Sequence, residues 1–132
     1  MKGAIERLGE VIGYPERVPE GAVSYVFRVD DDPVRVRLSG ARIILEWRFP
    51  EGVPVERLAG FATGRILREE ATLAWEPSVE RALLWQPIPQ DADGGELERS
   101  VGAFLNSRDW WKERVREFSA PKPKMADLVF RP

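Results

Sequence analysis

The sequence predicts an α+β domain built on an antiparallel sheet, and three observations carry that reading. Three runs between residues 23 and 49 alternate apolar and polar side chains, the period of a half-buried strand. Three other segments repeat their apolar residues every three or four positions, the period of an amphipathic helix. Short turn-forming links join the first strands, which makes neighbours antiparallel. The predicted order is α-β-β-β-α-β-β-α plus a tail.

Each element has its own signal. Over residues 3–12, Ala4, Ile5, Leu8, Val11 and Ile12 share a helical face, and Gly13 with Tyr14-Pro15 stops the helix. The first strand alternates Val23, Tyr25, Phe27 and Val29, the second Val34, Val36 and Leu38, the third Ile43, Leu45, Trp47 and Phe49. A two-residue turn at Gly40-Ala41, glycine first as a type II′ turn prefers, pairs Leu38 with Ile43 and Arg35 with Glu46. A turn at Asp31-Asp32 pairs Phe27 with Val36 and Arg28 with Arg35. Arg28, Arg35 and Glu46 then form one row on the outer face.

Pro50 and Pro54 end the third strand. A helix runs from Val55 to about Glu69, with Val55, Leu58, Ala59, Ala62 and Ile66 on one face and Gly60, Gly64 and Leu67 on another. Residues 71–75 and 82–85 read as the fourth and fifth strands, joined across Pro77-Ser78. Pro87 and Pro89 argue against a central continuation of the fifth. A long helix from about Glu96 to Phe118 buries Leu97, Val101, Phe104, Leu105, Trp111, Val115 and Phe118. Trp47, Trp75 and Trp85 also fall on predicted core faces.

The 132 residues and 15.0 kDa are one domain's worth of chain. It spans residues 1–120, followed by a proline-containing C-terminal tail, 121–132. Twenty basic against 22 acidic residues leave a net charge of −2, which points to neither nucleic acid nor an anionic membrane. No stretch nears the ~20 apolar residues of a membrane span. The start, with Glu6 and Arg7 and no long apolar run, lacks a signal-peptide pattern, so a cytoplasmic protein is expected. Sixteen arginines, 11 prolines and only three Asn and Gln together match a thermophile or a high-GC genome.

Cysteine and histidine are absent. That removes thiol nucleophiles, imidazole bases, disulfides and zinc sites built on those residues. Asp30-Asp31-Asp32 reads as a hairpin turn before it reads as a cation site. The stretch from Asp91 fails as a calcium loop, because Gly102 stands where a bidentate Glu is needed. Glu46 beside Arg35 and Arg48 could serve acid–base chemistry, but no second reacting group stands at a recognisable spacing. No catalytic residue, cofactor site or metal site is predicted.

The element order, the first helix ending in Ile12-Gly13-Tyr14, the meander, the middle helix leading into residues 71–75, and Phe104-Leu105 followed by Trp110-Trp111 carry a family likeness. Over residues 4–118 the chain resembles the class I type III secretion chaperones, the CesT-like family, and the related YbjN-like family. The resemblance implies a homodimer without catalytic activity that holds a partner polypeptide in extended form. It also implies that the middle helix lies near the dimer interface, making the Gly60, Gly64 and Leu67 face a candidate there.

The residues add their own argument for association. Phe61, Leu67, Trp110 and the tail's Leu128, Val129 and Phe130 exceed what a two-layer core can use, and monomers rarely leave such a patch open. Trp110 is either covered by the tail or offered to a partner. Two alternatives stand beside the chaperone-like reading. One is an enzyme or small-ligand protein using carboxylates and arginines; the other is a subunit of a hetero-assembly docking through its tail.

Overall fold

The structure is a computed structural model, and it describes residues 2–62 and 70–119. Helix α1 (Ala4–Val11) leads into strands β1 (Ser24–Val29), β2 (Asp32–Ser39) and β3 (Arg42–Arg48). Helix α2 (Val55–Ala62), strands β4 (Thr72–Glu76) and β5 (Arg81–Pro89), and helix α3 (Gly94–Ser119) complete it. The five strands form one antiparallel sheet in the order β1-β2-β3-β5-β4. The element order is the one the sequence predicts.

The helices cover one face of the sheet. Phe27, Val36, Leu45, Trp47, Leu84 and Ile88 point into a core closed by Ile5 and Leu8 of α1, Leu58 of α2, and Leu97, Phe104 and Trp111 of α3. Helix α1 comes close enough that a Cβ on Gly9 would stand 3.0 Å from Val18 Cγ2, so a larger residue would push the two apart. Glu6 Oε1 accepts from the N–H groups of Gly3 (3.2 Å) and Gly21 (2.9 Å), fastening the start of α1 to the loop before β1. Both bonds hold its carboxyl below the usual carboxylate range. Asp93 Oδ1 accepts from Glu96 N–H at 2.8 Å and caps α3.

The β2–β3 register is the predicted one. Leu38 faces Ile43, Arg35 faces Glu46, and Gly40 alone of the two turn residues has a positive φ, 58°. The β1–β2 register differs from expectation by two residues. Phe27 faces Val34 and Arg28 faces Pro33, because the two-residue turn is Asp30-Asp31, with φ of 54° and 66°. Positive φ at both positions marks a type I′ turn, whose twist suits a hairpin and which aspartate tolerates. The slip preserves parity, so the buried face is unchanged while the outer row becomes Val26, Arg35, Glu46 and Trp85.

Strand β5 also departs from expectation, running through both prolines in a central position. Phe49 N–H donates to Ala82 O and Gln90 N–H to Ala41 O, each at 2.9 Å, at the two ends of the β3–β5 ladder. Even-numbered residues of β5 therefore bond β3, and odd-numbered ones face the other way. Pro87 and Pro89 are odd, and β4 reaches only to Trp85. Among the described residues their missing N–H groups face a side with no neighbouring strand, so no ladder bond of β3–β5 or β4–β5 is lost.

Smaller corrections concern burial. Trp75 is 47% exposed at the sheet edge, and Trp85 lies half-buried on the outer face rather than in the core. Ala59 is exposed while Leu58 and Ala62 are buried, and the predicted continuation of α2 beyond Ala62 lies outside the described residues.

Candidate binding surfaces

Two surfaces stand out, one on each side of the sheet. The first is where α2 meets α3. Consecutive residues on a helix diverge by about 100°, so Trp110 and Trp111 leave α3 in different directions. Trp111 is buried, its ring 5.7 Å from Phe49 at 74°. Trp110 is half-buried, 6.3 Å from the ring of Phe61 and edge-on to Trp111 at 4.9 Å. The guanidinium of Arg114 lies 4.7 Å above the Trp110 ring and is bonded to Glu117 at 2.9 Å. Phe61 remains 38% exposed beyond this stack, and Gly60 beside it has open space where a Cβ would be.

Of the predicted interface residues, the structure thus gathers Gly60, Phe61 and Trp110 into one patch. Gly64, Leu67, Leu128, Val129 and Phe130 lie outside the described residues.

The second surface is the outer face of the sheet, which no helix covers among the described residues. Arg37 donates to Glu46 Oε1 at 2.6 Å and Arg35 to Glu46 Oε2 at 3.1 Å. Arg48 grips Glu76 through two 2.9 Å bonds, and Arg35 reaches within 3.8 Å of the same carboxylate. Five charged side chains from β2, β3 and β4 therefore form a continuous chain of ion pairs across the sheet. Glu46 is only 5% exposed, and Ile44 and Leu83 on the same face are 3% and 5% exposed, so the middle of this face is covered and its exposed part is Val26 and the arginines. The hydrogen bonds from Arg48 hold the Glu76 carboxyl below its usual range, and Glu76 in turn raises Arg48.

By strand parity the outer face carries six arginines, Arg28, Arg35, Arg37, Arg42, Arg48 and Arg81, against Glu46 and Glu76. Among them lie Val26, Trp85 and Pro87, and a hollow of about 130 Å³ lined by Val26, Pro33, Arg35, Glu46 and Arg48. Sequence reasoning anticipated the Arg35–Glu46 contact but assigned Arg48 to Glu46 and overlooked Arg37 and Glu76. Directly opposed neighbours are legible once a register is known, whereas diagonal contacts are not, whether to the next strand as in Arg37–Glu46 or across β5 as in Arg48–Glu76.

As an acid–base site Glu46 is poorly placed, since both its oxygens are taken by arginines. The aspartates of the first hairpin are likewise engaged: Asp30 by Arg108 at 3.2 Å, Asp32 by Lys112 at 2.5 Å. Among the described residues no cluster of three metal-ligating side chains exists, and no helix is long and apolar enough to cross a membrane.

Among the described residues, one antiparallel sheet of five strands in this order with the helices on one side makes a type III secretion chaperone-like fold. A chain of the HopA1–SchA chaperone–effector complex superposes with a TM-score of 0.66 at 15% identity, over 83% of this chain and 91% of that one. A chain of the ExoT–SpcS complex from Pseudomonas aeruginosa gives 0.64 at 14% identity, over 82% and 93%. A chain of the ExsC–ExsE complex gives 0.61 at 17% identity, over 83% and 89%. At such identities the likeness is one of fold. No family model and no curated protein matches the sequence.

Proposed function

We propose that this protein is a non-enzymatic, chaperone-like binding protein of the cytoplasm that forms a homodimer and holds a partner polypeptide in extended form. The observation that carries the reading is the shared fold: chains from complexes of two proteins match this one over four-fifths of its length. The absence of Cys and His from the sequence and the full engagement of Glu46 support a role without catalysis. The patch of Gly60, Phe61 and Trp110 is the candidate dimer interface, since a two-fold contact buries the same surface on both copies. Gly64 and Leu67, and Leu128, Val129 and Phe130 of the tail, are further candidates for it.

Sedimentation of the purified full chain tests the dimer, and light scattering of a chemically denatured model protein tests polypeptide holding. The expected results are a dimer that Phe61→Glu converts to a monomer, and suppression of aggregation by the wild type. A wild type that is monomeric at high micromolar concentration and leaves aggregation unchanged would refute both parts.

A further inference from the structure

We propose that the outer sheet face is a docking surface for an acidic polypeptide segment whose carboxylates alternate with aliphatic side chains. This rests on the reading that the protein holds polypeptides, and it names the chemistry of what is held. The six arginines of this face outnumber its two glutamates by four, on a chain whose net charge is −2. The imbalance presented to solvent is larger still. Glu46 and Glu76 are the more buried members of their pairs, while the side chains of Arg35, Arg37 and Arg48 are each more than a third exposed. Among the described residues Arg28 and Arg42 have no ion pair and add two further exposed cations.

Three possible occupants differ in charge. A second copy docking face to face would oppose one positive excess with another, which like-charge repulsion disfavours. The chain's own tail is also basic, with Lys122, Lys124 and Arg131 against Asp127. An acidic segment gains what both of these lose. Its apolar residues would meet exposed Val26, half-buried Trp85 and Pro87, and the hollow beside Val26 and Pro33. A polypeptide suits this face better than single-stranded nucleic acid, because among the described residues Trp85 is its one aromatic and bases need successive stacking platforms. The interface proposed above, at α2 and α3, lies on the other side of the sheet and does not compete with the exposed Val26 and arginines of this one.

Fluorescence anisotropy with the full chain provides the test. The probe is a labelled peptide alternating Glu with Leu and Val; the comparisons are the same peptide with Lys for Glu, a neutral peptide with Ser for Glu, and a labelled oligothymidylate. The acidic peptide should bind tightest, weaken as salt rises, and lose about tenfold or more in affinity to the Arg28→Glu, Arg42→Glu double variant. Those two residues lie outside the ion-pair chain, so the variant should keep the wild-type circular dichroism and sedimentation. Should the variant misfold, the salt titration and the Lys peptide decide the matter on the wild type alone. Equal binding of acidic and neutral peptides would overturn this proposal and leave the chaperone-like reading standing. Tighter binding of oligothymidylate would overturn it in favour of nucleic acid. Binding of no peptide at all would count against both readings.

Discussion

Arg108 of α3 donates from Nη1 to the backbone oxygen of Val29, the last residue of β1, at 3.0 Å. The same side chain, 1% exposed, also bonds Asp30 at 3.2 Å and its neighbour Asp109 at 2.9 Å. A helix in the core is thereby locked to the tip of the first hairpin, whose turn holds two aspartates at positive φ. Lys112, one turn on, adds its bond to Asp32.

Replacing Arg108 with Ala should therefore cost about 2–4 kcal/mol, through a lost charged hydrogen bond to a main-chain carbonyl and a cavity beside Phe104 and Trp111. Arg108→Met keeps much of the volume without a buried charge and should cost less. Urea denaturation of both variants checks the order. A Met variant less stable than the Ala variant would show that volume is not what Arg108 contributes.

Strand β5 offers a parity test. Pro87→Ala changes a residue whose nitrogen faces away from β3, and should alter stability by less than about 1 kcal/mol. Ile88→Pro, one residue on, removes an N–H that bonds β3 and should cost about 3 kcal/mol or more. Thermal melts of the pair decide this, and equal effects at both positions would contradict the ladder described above.

The Arg48–Glu76 pair carries a pH dependence of definite sign. Hydrogen bonds from Arg48, with the added attraction of Arg48, Arg35 and Arg81, outweigh burial and depress the Glu76 carboxyl below its ordinary 4.5. A carboxyl depressed in the folded state stabilises above its unfolded value, and that contribution is lost as pH falls through the folded one. Glu76→Gln should lower Tm at neutral pH by at most about 4 °C, since exposed pairs contribute little. The gap between variant and wild type should narrow as pH falls below the ordinary 4.5 and through the lower folded value. A gap that widens in acid would reverse the sign argued here.

Period and punctuation made most of the architecture readable. Alternation over Val23–Phe49 and the glycine-first turn at Gly40 placed three strands and the β2–β3 register, because a one-residue slip there would expose every buried side chain. A two-residue slip exposes none of them. The β1–β2 register therefore rested on which two aspartates turn, a choice governed by backbone geometry that residue types alone do not reveal. Arg108 left a trace: the stripe Leu97, Val101, Phe104, Trp111, Val115 has its one gap at position 108, where the spacing calls for a buried residue.

Phe61 and Trp110 were legible as surplus apolar groups because a two-layer core has only so many places. That α2 and α3 set their rings side by side depends on how the helices pack, and local sequence does not encode that. The same holds for the outer face. Net charge sums over the whole chain and reads −2, whereas strand parity and the closing of the sheet sort six arginines onto one side. Local chemistry chooses the elements, but charge on a surface is a property of their arrangement, and arrangement comes from contacts between residues far apart in the chain.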